Sequence, residues 1–271
     1  MKNLTFTLFA LLVCTQIHAQ EANYANVNGV KIYYEIHGEG EPIVLLHGFT
    51  MSNNMWDEWI EDLSKNYKLI LPDLRGHGNS TNPSNKFTHK ESASDIYGLL
   101  DLLNIDKFNA IGFSSGAMTL THMATMDTTR ILAMVLIGST SFFPEYCREY
   151  QRSTSYESVD EGEMNYLKEQ HPRGETQIRN LLTQFKNMAD SYDDMNFTSP
   201  YLSSIKSKTL VIHGDRDSLF PVDIPVNSYK SIPNSYLWIV PNFGHNSIDK
   251  NSIWADAFLK VVNKFFSGEW N

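Results

Sequence analysis

Six short apolar runs, each followed by a stretch of helical or turn character, constrain this chain more than any other feature of its 271 residues. The runs lie at 42–46, 67–71, 108–111, 131–137, 208–212 and 236–240. The first is Pro-Ile-Val-Leu-Leu, continuous rather than alternating, which suits a strand buried on both faces. Helical patterns sit between and after them. Trp56, Trp59, Ile60 and Leu63 share one face, and further helices are expected over 91–103, 117–126, 222–231 and 253–266. Strands alternating with helices at this spacing build βαβ units and a largely parallel sheet. A hairpin precedes them: 24–27 and 30–36 are rich in strand formers and are joined by Asn28-Gly29, a two-residue turn signal. The expected fold class is therefore α/β, an eight-stranded, mostly parallel sheet with helices on both faces.

The rhythm stops between residues 141 and 200. Buried runs disappear there and helical patterns rich in Glu, Gln, Tyr and Ser take over, as in 176–189. A helical insertion between two core strands reads as a cap over the strand ends, where open α/β sheets bind their ligands. The division is a core of residues 20–140 and 201–271 with a helical cap at 141–200. The cap carries eleven acidic and six basic residues, a charge that a solvated helical surface accounts for.

The first nineteen residues read as a secretory signal peptide. Lys2 supplies the positive start, 4–13 is mostly apolar, and Ile17-His18-Ala19 resembles a cleavage site. A secreted or periplasmic product follows, with no further apolar run long enough to span a bilayer. A lipid anchor on Cys14 is the competing outcome, but Leu-Leu-Val ahead of it lacks the small residue such processing wants. With Cys14 removed, Cys147 has no partner for a disulfide and reads as a buried small hydrophobe. A net charge of −9 and no Lys/Arg run exclude a nucleic-acid partner.

Chemistry concentrates after the third of the six runs. Gly112-Phe113-Ser114-Ser115-Gly116 stands between a strand and a helix, the setting of a nucleophile elbow, where small flanking residues permit a turn that lifts the serine hydroxyl above the sheet edge. A serine at its free pKa is a poor nucleophile and needs a base, which in turn needs an orienting group. His245 follows the last strand, and Asp215 and Asp217 both follow the strand before it. The order Ser, Asp, His is the reverse of that in chymotrypsin-type proteases.

Taken with His47-Gly48-Phe49, Asp73-x-Arg75-Gly76-His77-Gly78-x-Ser80, His213-Gly214-Asp215-Arg216-Asp217-x-x-x-Pro221 and Gly244-His245, this elbow makes the chain resemble an α/β-hydrolase-fold serine hydrolase of the carboxylesterase type. The resemblance covers nearly everything after the signal peptide. It implies a catalytic triad of Ser114, Asp217 and His245, with Asp215 shaping the turn, and an oxyanion hole made by the amides of Phe49 and Ser115. Ser114 argues against relatives that open epoxides or displace halide, which carry aspartate at the elbow.

The implied activity is hydrolysis of carboxylic esters of small to medium acyl chains through an acyl-enzyme. An aminopeptidase, a C–C bond hydrolase, a lactonase or a perhydrolase would use the same triad, and a small-molecule receptor on a hydrolase scaffold is the alternative without turnover. The partner expected is a small ester-type substrate. No cofactor is expected, since there is no P-loop and no dinucleotide fingerprint. No metal is expected either, since His37, His89, His122 and His171 show no ligand spacing. His47 and His77 are expected to bond backbone, and His213 to be buried and satisfied.

Overall fold

Asn28 at φ 48° and Gly29 at φ 79° turn the chain back on itself, joining β1 (Asn23–Val27) to β2 (Val30–His37) in antiparallel register. The computed structural model describes residues 23–270; the expected signal peptide, its cleavage site and Cys14 lie outside the described residues. After β2 come β3 (Glu41–Leu46), α1 (Asp57–Leu63), β4 (Tyr67–Pro72), α2 (His89–Leu102), β5 (Phe108–Phe113), α3 (Ser115–Met126) and β6 (Ile131–Ile137). Helices α4 (Glu145–Ser153), α5 (Glu161–Gln170), α6 (Glu175–Met188) and α7 (Ser199–Leu202) then follow one another with no intervening strand. The chain closes with β7 (Lys208–Gly214), α8 (Asp223–Ser231), β8 (Ser235–Val240) and α9 (Ala255–Phe266).

The eight strands form one sheet in the order β1-β2-β4-β3-β5-β6-β7-β8. Strand β2 runs against both its neighbours, and every pairing from β4 to β8 is parallel. The continuous apolar runs are explained by what covers the two faces. Ile43 and Leu45 point to the side of Trp59, Leu63, Phe258 and Phe265, while Val44 and Leu46 point to the side of Leu99, Leu100 and Leu120. All four strand residues are fully buried, each contributing roughly 1.5–3 kcal/mol relative to exposure. A smaller apolar cluster of Leu167, Ile178 and Leu182 holds α5 and α6 together.

Three helix starts differ from expectation by two residues, the first being α3, which begins at Ser115 rather than 117, directly after the serine turn. Helix α2 begins at His89, two residues early, because Thr88 caps it: the Glu91 amide donates to Thr88 Oγ1 at 3.0 Å and the Thr88 hydroxyl donates to the Glu91 carboxylate at 3.1 Å. Helix α9 begins at Ala255 rather than 253. Ahead of it the Asn251 amide donates to Asp249 Oδ1 and the Trp254 amide to Ser252 Oγ, local bonds that compete with a helical turn. Ile253 is left 88% exposed.

Strand β3 has β4 on one side and β5 on the other, so the direction of winding reverses between β3 and β5. Such a point opens a crevice at the carboxyl ends of the strands. Leu46 pairs with Gly112, which brings the segment after β3, His47-Gly48-Phe49, level with Phe113 at the end of β5 and Ser114-Ser115 after it.

Candidate active site

Ser114 has φ 49° and ψ −117°, a conformation a non-glycine residue holds only when its surroundings enforce it. Its amide donates to Ile137 O at 2.8 Å and its carbonyl accepts from the Met118 amide at 2.9 Å, fixing it to β6 and to the first turn of α3. The tightness shows at Gly116, where a Cβ would sit 2.3 Å from the Leu46 carbonyl oxygen. No other residue type lets α3 start so close to β3.

His245 reaches the serine from the loop after β8. Its Nε2 lies 3.0 Å from Ser114 Oγ and its Nδ1 lies 2.7 Å from Asp217 Oδ2. The other carboxylate oxygen of Asp217 accepts from the amides of Leu219 and Phe220, both at 2.8 Å. Burial opposes ionisation of Asp217, but its hydrogen bond to His245, the charge there and the Phe220 amide outweigh that and hold the carboxyl below the usual range. An ionised Asp217 accepts a hydrogen bond from Nδ1–H, so Nε2 offers a lone pair and the Ser114 hydroxyl donates to it. Asp215 does something else: its Oδ1 accepts from the Phe243 amide at 3.3 Å, inside the turn that carries His245. The rings of Phe113 and Phe220 lie 5.3 and 5.2 Å from the His245 ring.

The amides of Phe49 and Ser115 are the expected oxyanion donors, and among the described residues neither is matched to a protein acceptor. Ser115 begins α3, whose N-terminal dipole favours an anion there. Behind Phe49, His47 Nδ1–H donates to Gly48 O at 2.7 Å while Nε2 accepts from the Leu74 amide at 2.9 Å. Burial drops the His47 pKa to about 3, so this brace is neutral. The Phe49 ring packs rather than lying free, edge-on to His77 at 4.6 Å and Phe87 at 5.0 Å and stacked on Phe185 of α6 at 5.5 Å.

The remaining histidines divide. His77 Nδ1–H donates to Arg75 O at 3.0 Å, but Nε2 is buried without a partner. His213 is buried and its Nε2–H donates to Phe220 O at 2.8 Å, yet Nδ1 has no partner, so the expectation of a fully satisfied ring is corrected. Cys147 is buried and desolvation pushes its thiol up to about 12.

One cluster was not foreseen. His89 Nδ1 lies 2.6 Å from Asp194 Oδ2 and His89 Nε2 lies 3.0 Å from Ser115 Oγ, a second Ser–His–Asp chain beside the first and fully enclosed. Burial works against the Asp194 charge, but His89 and the amide bonds at the start of α2 win and hold it at about 2. Asp194 is 105 residues from His89, and no local sequence pattern links the two.

Comparison with known proteins agrees with this architecture. A family model described as alpha/beta hydrolase fold matches residues 41–161. A 2-hydroxy-6-oxo-6-(2'-aminophenyl)hexa-2,4-dienoic acid hydrolase from Metapseudomonas resinovorans is 23% identical, over 89% of this chain and 90% of that relative. Among solved structures, the enol-lactonase from Burkholderia xenovorans LB400 superposes with a TM-score of 0.71 at 25% identity, covering 90% of this chain and 100% of that one. A thermophilic esterase from Thermogutta terrifontis gives a TM-score of 0.71 at 21% identity, covering 90% of this chain and 99% of that one. With its sheet order, its strained serine after β5 and these matches, the chain is a protein of the α/β-hydrolase fold.

Proposed function

We propose that this protein is a serine hydrolase that cleaves carboxylic esters of small to medium acyl chains, with Ser114 as nucleophile, His245 as general base and acid, and Asp217 as its orienting partner. What supports the reading above all is the unbroken chain Ser114 Oγ–His245–Asp217 at 3.0 and 2.7 Å. As Ser114 Oγ bonds to the acyl carbon, its proton passes to His245 Nε2 and the carbonyl oxygen becomes an anion held by the Phe49 and Ser115 amides. Collapse of that adduct breaks the ester C–O bond, and the departing alkoxide takes the proton from His245. Water then attacks the acyl-enzyme by the same route, releasing the acid and the free serine. Removing one such oxyanion donor raises the barrier by about 2.7–4 kcal/mol in a comparable site.

The helical segment 141–200 is proposed as a cap over this site, and 1–19 as a signal peptide that sends the enzyme to the periplasm or outside the cell. Among the described residues no helix is long and apolar enough to cross a membrane. The test is a panel of p-nitrophenyl esters of increasing acyl length, run on wild type and Ser114→Ala. Wild type should turn over the shorter esters and Ser114→Ala should lose about 10⁴-fold or more in kcat. A clear preference for an aminoacyl p-nitroanilide would replace ester hydrolysis with peptide cleavage.

A second reading is favoured by the relatives themselves, one of which is named as a dienoic acid hydrolase and one as an enol-lactonase. Hydrolysis of a C–C bond beside a ketone, or of a lactone, runs through the same acyl-enzyme. Turnover of an enol-lactone or a dienoic keto acid well above that of any simple ester would select it.

A further inference from the structure

Both proposed oxyanion donors are tied to the helical segment between β6 and β7 through a buried histidine. Behind Ser115, the hydroxyl lies 3.0 Å from His89 Nε2, and His89 Nδ1 lies 2.6 Å from Asp194 Oδ2. Asp194 comes from the stretch between α6 and α7 and also accepts from the amides of His89 at 2.9 Å and Lys90 at 3.1 Å. His122 adds a bond from Nε2–H to the Asp194 carbonyl at 2.6 Å. Asp194 Oδ2 faces Nδ1 of His89, which turns Nε2 of the same ring onto the Ser115 hydroxyl. Ser115 begins α3 and has no helical carbonyl one turn back, and its hydroxyl bonds across to a side chain 26 residues away.

Beside Phe49 the arrangement repeats with different residues. The Thr50 carbonyl accepts from His171 Nε2–H at 3.0 Å, and His171 Nδ1 accepts from the Gly78 amide at 3.1 Å. The Ser52 hydroxyl donates to Gln170 Oε1 at 2.6 Å. Gln170 ends α5 and His171 follows it, so the loop carrying Phe49 is pinned to the same helical segment as Ser115.

We propose that this segment sets the oxyanion hole: His89 with Asp194, and His171 with Gln170, are positioning residues that aim the Ser115 and Phe49 amides at one point, so the hole is complete only while the segment is seated. The proposal rests on the reading of those two amides as the oxyanion donors. Misaiming a donor should do less than the 10²–10³-fold loss that follows its removal, so about tenfold in kcat is expected.

The test uses the full chain with p-nitrophenyl butyrate, and a trifluoromethyl ketone that forms a tetrahedral adduct on Ser114. Ser115→Ala keeps the amide and should lower kcat about tenfold with KM within about twofold, weakening the ketone by the same factor while leaving affinity for the product acid unchanged. Asp194→Asn should do the same, and the double variant should be no worse than the poorer single one, since both break one chain. Ser52→Ala acts on the other donor, so its effect should multiply with that of Ser115→Ala. A merely structural role would leave the ratio of ketone to product affinity unmoved. If Asp194→Asn does not fold, Ser115→Ala alone decides. Wild-type turnover with Ser115→Ala and Ser52→Ala both within twofold in kcat overturns the proposal and leaves the catalytic reading standing. Wild type that hydrolyses no acyl substrate and takes no label at Ser114 overturns both.

Discussion

Asp217→Asn isolates the tautomer on which the proposed mechanism depends. The two oxygens of Asp217 are not equivalent. Oδ1 accepts from the Leu219 and Phe220 amides while Oδ2 faces His245 Nδ1. An asparagine here has one acceptor oxygen, and two fixed backbone donors claim it. Its NH₂ group is therefore turned toward His245, where it donates to Nδ1 and drives the imidazole proton onto Nε2. That nitrogen then donates to Ser114 Oγ instead of accepting from it, and the hydroxyl has nowhere to send its proton. The side chain keeps its shape and both backbone bonds, so the loss is chemical rather than structural. In trypsin the same exchange lowers kcat about 10⁴-fold, which is roughly 5.4 kcal/mol on the barrier at 1.36 kcal/mol per tenfold. We expect a kcat loss of that order on a short p-nitrophenyl ester, with KM little changed and an unaltered unfolding midpoint. Asp215→Asn, whose one bond to the Phe243 amide the amide oxygen can keep, should stay within about tenfold of wild type. The reasoning fails if Asp217→Asn turns over nearly as fast as wild type, and it is reversed if Asp215→Asn is the variant that dies.

Three further outcomes follow from packing and charge. Gly214→Ala would place a Cβ 2.1 Å from the Phe243 carbonyl oxygen, pushing the His245 loop off the end of β7; kcat should fall about 10²-fold, the scale set by a 1 Å misplacement, and an unchanged kcat would refute it. Arg75 and Asp95 form a buried two-point pair at 2.7 and 3.1 Å between the 73–80 loop and α2. Removing one member leaves a buried charge, so Arg75→Met should destabilise by about 3–5 kcal/mol in urea unfolding, and a loss below about 1 kcal/mol would contradict it. Acid should weaken the fold before any carboxylate pairs break. Burial lowers His122 and His171 to about 4 and His47 to about 3. The unfolded chain therefore binds more protons below the ordinary histidine pKa, and stability is lost as pH falls from about 6.5 toward 4. Asp73, raised by burial to about 6, pulls the other way over part of that range with Asp57 and Asp95, also raised by burial, but they face five histidines, since burial lowers His77 and His213 as well. Urea midpoints that stay flat from pH 7 to 4.5 would exclude this.

How much could be read in the sequence tracks how local each signal is. The strands were legible because strands buried on two faces must be continuously apolar, and Val44 to Leu46 could hardly be anything else. The elbow was legible because a strained serine needs small neighbours, which leave a written spacing. Helix edges were less so. The Thr88 cap that starts α2 early and the side-chain bonds of Asp249 and Ser252 that delay α9 form only once the turn exists. His89, Asp194 and His171 were illegible in role. Their partners are 26 to 121 residues away, and one buried histidine looks like another until its neighbours arrive.

The path of His245 shows why the chain must have this sheet order to place the site at all. Serine leaves β5, aspartate β7 and histidine β8, with β6 between serine and aspartate. The imidazole must cross the ends of two strands to reach Ser114, and side chains there would block it. Both of those strands are followed or ended by glycine. Gly214 admits the Phe243 carbonyl over β7, and the hydrogen bonds from Asp215 N to Val240 O and Arg216 N to Phe243 O fold the loop down onto it. At the end of β6, Gly138 leaves the imidazole Cε1 3.3 Å from where a Cβ would stand. Asp217 then takes its place from below, held by its own turn at Leu219 and Phe220 rather than by the histidine. Asp217 is thus held independently of His245, so in the proposed mechanism any drift of the loop moves His245 relative to two stationary partners and shows first in kcat, with binding of substrate left largely intact.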